Sequence, residues 1–129
     1  MKHRGLVIDE CKVMDTRKTK WYDTYKEAHD AAEKLCKRTM GNRGRIDVET
    51  LISFKDLTVG DAYVEGGGFR TNAGDYNGNW YQANATDKDG NEFTIIWTRV
   101  NWKKDSDAAC NWDKPQYIFN DYGYEMLFV

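Results

Sequence analysis

Nucleophilic or metal chemistry in this chain would have to come from three cysteines, Cys11, Cys36 and Cys110, and two histidines, His3 and His29. His29 and Cys36 stand seven residues apart, which on a helix puts them on one face, where a thiolate could sit beside a base. A packed small thiol and a partly exposed imidazole explain the same spacing without chemistry, and no catalytic residue is assigned. The cysteines and histidines lack the short paired spacings of a zinc site. Asp87-Lys88-Asp89-Gly90-Asn91-Glu92 opens like a calcium loop, yet the required glycine position falls on Glu92 and the bidentate glutamate position on Thr98. Gly66-Gly67-Gly68 runs into Phe69-Arg70, with no Lys-Ser/Thr and no helix start to hold a phosphate. The carboxylates fall in turns and on polar faces and single out no glycosidase-type pair. The expectation is a protein that is not an enzyme and carries no metal or cofactor.

Binding chemistry is better represented. Trp80, Trp97, Trp102 and Trp112, with Tyr117, Tyr122 and Tyr124, exceed what about eighty residues need for a core. Aromatic residues are enriched where proteins meet partners. With Trp97 inside, a partner surface is expected from Phe69, Arg70, Tyr76, Trp80, Trp102, Trp112, Tyr122 and Tyr124. A second candidate is basic. Lys34, Lys37, Arg38, Arg43 and Arg45 gather at a helix end and the loop after it. With Arg4, Arg17, Lys18 and Lys20 they would form a patch for the phosphates of nucleic acid. Cations near a helix C-terminus are also favourable in their own right.

The elements that position these residues follow from composition and periodicity. The 129 residues carry 19 basic and 21 acidic side chains, a balance too even for a dedicated nucleic-acid binder or a DNA mimic. Residues 1–50 are net basic and residues 51–129 net acidic, and 15 of the 18 aromatics lie after residue 50. The expectation is an α+β chain: a small β-β-α-β module over 1–50, then an antiparallel, barrel-like β module over 51–129. An odd number of unpaired cysteines argues for reduced thiols. With no leader and no apolar run of about 20 residues, a soluble cytoplasmic protein without membrane association is expected. That setting also sets aside the glycosylation sequon Asn84-Ala85-Thr86.

In the first module, residues 5–14 read as a strand, Asp15 to Thr19 as a turn and Lys20 to Tyr22 as a short return strand. A helix over about 24–40 follows, capped by Thr24 with Glu27 three residues on. Its apolar stripe is Tyr25, Ala28, Ala31, Ala32, Leu35 and Cys36. Ile46 and Val48 alternate with Asp47 and Glu49 as a third strand, and residues 51–56 bridge the modules. In the second module, Leu57 to Asp61 lead into a strand at Tyr63-Val64. Residues 65–79, holding five of the eleven glycines, read as a mobile surface loop. The hairpin 80–99 is the central element. A type I turn at Asp87 to Gly90, with Gly90 left-handed and a bulge, pairs Tyr81 with Trp97, Ala83 with Ile95 and Ala85 with Phe93, one apolar face. A two-residue turn would split that face. With the bulged turn the other face carries Gln82, Asn84, Thr94 and Ile96, mostly polar and expected to face water. Gln116 to Phe119 form a strand after Pro115, and Tyr124 to Val129 pair as the terminal one.

The segments NWYQANATDKDGNEFTIIW, starting at Asn79, and ACNWDKP, starting at Ala109, resemble stretches of small orphan accessory proteins of bacteriophages and prophages. The helix TYKEAHDAAEKLCKR is similar to the short helices of such proteins. The resemblance covers about half the chain and carries no catalytic motif. It implies a phage-encoded protein that binds and inhibits or redirects a host protein, such as a defence nuclease, in an anti-CRISPR-like or other counter-defence role. The alternative is a nucleic-acid-binding accessory protein using the basic helix end.

Overall fold

The computed structural model describes residues 1–9, 11 and 15–129, and the chain is α+β. It divides into two compact units, Met1–Ile52 with Val129, and Ser53–Phe128.

In the first unit β1 (Lys2–Asp9) lies between β2 (Thr16–Lys18) and β3 (Gly44–Ile52), antiparallel to both. The return strand is therefore Thr16–Lys18, where a turn was expected, and Tyr22 contributes only a bridge to His3. All three β2 residues are exposed. Polar, charged edge strands resist further pairing, and they leave no hydrophobic alternation to read. Of the strand expected over 5–14, residues 10 and 12–14 lie outside the described residues. β3 extends through Leu51 and Ile52, so the expected bridge begins only with the 3-10 turn Phe54–Asp56.

The helix α1 (Tyr25–Thr39) starts at Thr24, whose Oγ1 accepts from the Glu27 N–H at 3.2 Å. The Glu27 carboxylate takes the Thr24 hydroxyl at 2.9 Å, where the sequence pattern predicts the Thr24 N–H. Ala28, Ala32 and Cys36, one turn apart, form the buried stripe, whereas Tyr25 is exposed and stacks on His29. The helix approaches the sheet closely because glycine stands opposite. A Cβ on Gly5 would lie 2.5 Å from the Ala32 Cβ, and one on Gly44 2.5 Å from the Cys36 Sγ. Val7, Ala32, Cys36 and Met40 make the core, with Leu35 and Ile46 beside it.

The second unit holds β4 (Thr58–Val59), β5 (Tyr63–Glu65), β6 (Phe69–Thr71), β7 (Gly74–Tyr76), β8 (Trp80–Thr86), β9 (Glu92–Trp97), β10 (Tyr117–Asn120) and β11 (Leu127–Phe128). Its main sheet is curled and runs in the order β10-β9-β8, with β4 and β5 sharing the free edge of β8. The β8–β9 register is Tyr81 to Trp97, Ala83 to Ile95 and Ala85 to Phe93. Gly90 has φ +82° and donates to the Asp87 carbonyl at 3.1 Å. Asp87 Oδ1 accepts from the N–H of Asp89 and of Asn91, and Oδ2 from Asn91 Nδ2. Burial pushes this carboxyl's pKa up, but those hydrogen bonds outweigh it and hold it below the usual aspartate range. The carboxylate is thus committed to the turn. Ala83, Ala85, Phe93, Ile95 and Trp97 are buried along this face.

The glycine-rich segment is not the expected loop. It folds as the hairpin β6–β7, pairing Phe69 with Tyr76 and Thr71 with Gly74. Phe69 anchors it, its ring 4.8 Å from Trp80, 5.4 Å from Tyr117 and 5.8 Å from Phe119. Pro115 is buried just before β10, and Gln116 Oε1 accepts from the Thr98 N–H at 2.8 Å, closing the exit of β9. After β10 the tail returns through a Glu125–Phe119 bridge, and the Met126 N–H donates to the Ile118 carbonyl. The Val129 N–H donates to the Ile52 carbonyl at 2.9 Å.

Candidate functional site

Strand alternation assigns Trp80, Gln82, Asn84 and Thr86 of β8, with Glu92, Thr94 and Ile96 of β9, to the face opposite the buried one. The β10 register adds Tyr117 and Phe119. A flat sheet would offer this face to water, but the curled one makes it a trough. One recess of about 580 Å³ is lined by Thr58, Asn84, Thr86, Glu92, Thr94 and Asp121 among others. A second, of about 480 Å³, shares Thr94 and Asp121 and adds Phe69, Arg70, Trp80, Gln82 and Phe119. One end therefore presents hydroxyls, the Asn84 amide and the Glu92 and Asp121 carboxylates, the other chiefly aromatic rings with Arg70 and Gln82. Gln82 is held by Tyr63 Oη and by Trp80 Nε1, both within 3.0 Å. No histidine, cysteine or lysine is among the described lining residues. The trough is equipped to hydrogen-bond and stack.

Both recesses are edged by the turn from Asn120 to Tyr124. Asn120 Oδ1 accepts from the N–H of Tyr122 at 3.0 Å and of Tyr124 at 2.9 Å. Gly123, at φ +83°, donates to the Asn120 carbonyl. This repeats the backbone N–H bonds of the Asp87–Asn91 turn, without the side-chain bond from Asn91. The signal was present: both segments read Asx-x-x-Gly, but only the first is flanked by obvious alternating strands. The turn carries two outward rings, with Tyr122 83 % and Tyr124 71 % exposed.

The eight residues expected to share a partner surface fall into three groups. Tyr122 and Tyr124 are displayed. Phe69, Tyr76 and Trp80 pack on one another at the trough's aromatic end, with Arg70 cross-paired to Asp75 at 3.2 Å. Trp80, expected outside, is only 5 % exposed because the β6–β7 hairpin covers it. Trp102 and Trp112 belong to the other face. Trp112 packs on Trp97 and Tyr81, and Trp97 Nε1 donates to the Trp112 carbonyl. Trp102 stacks on Tyr81 and stays half exposed.

The five basic residues of the first unit likewise do not form one patch. Lys34 and Arg38 line a cleft of about 290 Å³ with Lys18 and Lys20. Arg43 lies 4.0 Å from the buried Asp9 carboxylate. Arg45 pairs with Ile8 and occupies the sheet face turned from the helix, since its neighbours Gly44 and Ile46 meet the helical core. Lys37 is exposed in the last helical turn.

His29 and Cys36 do not meet. Seven residues along a helix span about 10 Å, and Cys36 is buried with its Sγ 3.4 Å from the Gly41 carbonyl. His29, Asp30 and Glu33 bring ligand atoms within 4.8 Å of one another, but Glu33 faces His29 at 3.5 Å and Asp30 faces Lys26 at 3.0 Å. The three cysteines are free, and burial pushes the Cys110 thiol pKa up, away from reactive thiolate. Among the described residues no helix is long and apolar enough to cross a membrane. No protein family, curated protein or solved structure matches the chain.

Proposed function

We propose that the protein acts by binding another protein, without catalysis, through the trough and tyrosine turn of its second unit. One observation carries this reading: two largely exposed tyrosines stand on a turn locked by the Asn120 side chain, at the edge of both recesses. Exposed rings on a mobile loop would lose entropy on binding; a pre-organised turn avoids most of that cost. Tyrosine adds a large apolar area and a polar tip at only two side-chain torsions. The trough beside it supplies the hydrogen-bonding groups that give such contacts register. The resemblance to phage accessory proteins supports a bacterial host protein as the partner, bound in the cytoplasm and thereby inhibited or redirected.

The test is affinity capture from bacterial lysate, then titration of the captured protein. Tyr122→Ala with Tyr124→Ala should weaken binding by about 30-fold or more, as for a pair containing a hot spot, while circular dichroism stays unchanged. Binding that survives the double substitution, or no specific capture by the folded wild-type protein, refutes the reading.

A further inference from the structure

We propose that the basic cleft of the first unit, between the β2 end and α1, is a binding site for phosphate groups. The inference rests on the first unit alone and is independent of the partner surface above. Lys20, Lys34 and Arg38 line this cleft with Tyr22, and none of its described lining residues is acidic; Lys18 also lines it, but its register with Leu6 sends its side chain to the sheet face of Arg4 and Glu49. In a chain with a net charge of −2 that is a local concentration of one sign.

The carboxylates that would ordinarily neutralise these cations are committed elsewhere. On α1, Glu27 is held by the Thr24 hydroxyl, Asp30 by Lys26 and Glu33 by His29. Among the described residues no carboxylate comes within ion-pairing distance of Lys20, Lys34 or Arg38. Glu49 lies 3.9 Å from Lys18 but is already paired with Arg4. Lys34 and Arg38 are four residues apart, so their side chains project from adjacent turns of one face. Like charges at that spacing destabilise a helix by a few tenths of a kcal/mol, and an anion between them would reverse the sign. The cleft's volume of about 290 Å³ suits one or two phosphates rather than an extended duplex. Arginine offers a planar fork to phosphate oxygens and lysine a mobile point charge. Lys20 Nζ also lies 5.2 Å from the centre of the Tyr22 ring, so an aromatic face adjoins the cationic one.

The experiment titrates the full chain with two probes, inorganic pyrophosphate and a 12-nucleotide single-stranded oligothymidylate, at 50 and 200 mM salt. Lys34→Gln with Arg38→Gln is compared with a control pair of equal charge change, Lys103→Gln with Lys104→Gln, on exposed positions of the second unit. Saturable binding of at least one probe is expected, reduced tenfold or more by the cleft pair and less than twofold by the control pair. Pyrophosphate binding with no tighter binding of the oligonucleotide identifies a small phosphorylated ligand. Oligonucleotide binding at least tenfold tighter, with a salt slope that falls by about one on the double substitution, identifies a nucleic-acid strand. Binding of neither probe at 50 mM salt, or equal losses for the two variant pairs, overturns the proposal.

Discussion

Substitution of Gly5 by alanine tests the packing on which the first unit depends. Gly5 is buried in β1, and its φ is not positive, so its backbone asks for no glycine. On backbone grounds alone alanine should stabilise by about 0.4–1 kcal/mol, because it restricts the unfolded chain. The packing argues the opposite. The added carbon would lie 2.5 Å from the Ala32 Cβ and 2.6 Å from the Ala28 carbonyl oxygen. Neither neighbour is the tip of a flexible side chain. Carbon atoms pack best at about 3.5–4.0 Å, so α1 would have to move off the sheet by roughly 1 Å. Overpacking of this kind costs about 1–3 kcal/mol; set against the chain-entropy gain, a net loss of about 1–2 kcal/mol is expected. Urea denaturation followed by far-ultraviolet circular dichroism should show a lower midpoint at unchanged slope. Adding Ala32→Gly removes one of the two collisions. The double variant should therefore be less damaged than the sum of the singles, by about 0.5 kcal/mol or more. A Gly5→Ala protein as stable as wild type, or additive singles, would refute the close helix-on-strand approach.

Three further outcomes follow from the geometry. Gly90→Ala meets no neighbour, but it forces an L-residue to φ +82°, so a loss of about 1 kcal/mol is expected in the same assay; a neutral result would mean that the turn does not hold this conformation. Phe69→Ala removes the ring that covers Trp80; a loss of about 2–3 kcal/mol and greater acrylamide quenching of tryptophan emission are expected, and unchanged quenching would argue against that cover. His3 has its pKa lowered by burial first and by the chain's α-ammonium group second, and it makes a 3.0 Å contact with Thr50 Oγ1. Below about pH 6.5 the unfolded state binds the proton more readily than the folded one. The stabilising contribution is therefore complete above that pH and is lost as pH falls through the lower, folded value. His3→Gln should flatten this part of the stability-versus-pH curve, and an unchanged curve would remove His3 from the account.

The register of the 80–99 hairpin was legible because two local signals agree: the Asx-x-x-Gly turn fixes the bulge, and only that bulge collects Tyr81, Ala83, Ala85, Phe93, Ile95 and Trp97 on one face. The helix start was legible for a similar reason, since Thr24 and Glu27 interact within one turn. Less of the candidate site could be read. The turn from Asn120 to Tyr124 has the same chemistry as its counterpart at Asp87, but its return strand is too short to alternate. The hairpin in residues 65–79 was hidden because its anchoring ring, Phe69, lodges against residues up to fifty positions away.

Sequence by itself settled what nearest neighbours along the chain decide: where a helix is capped, which turn closes a hairpin, and which side of a strand is apolar. Tertiary structure decided what depends on curvature and cover. The face carrying Gln82, Asn84 and Thr94 became a trough because the sheet curls, and Trp80 left the surface because a glycine-rich hairpin folded onto it. The basic residues near the helix end parted because alternation on β3 turns Arg45 away while the spacing of Lys34 and Arg38 brings them to one cleft. Local preference acts over a few residues, whereas exposure is set by whatever the fold brings from far along the chain.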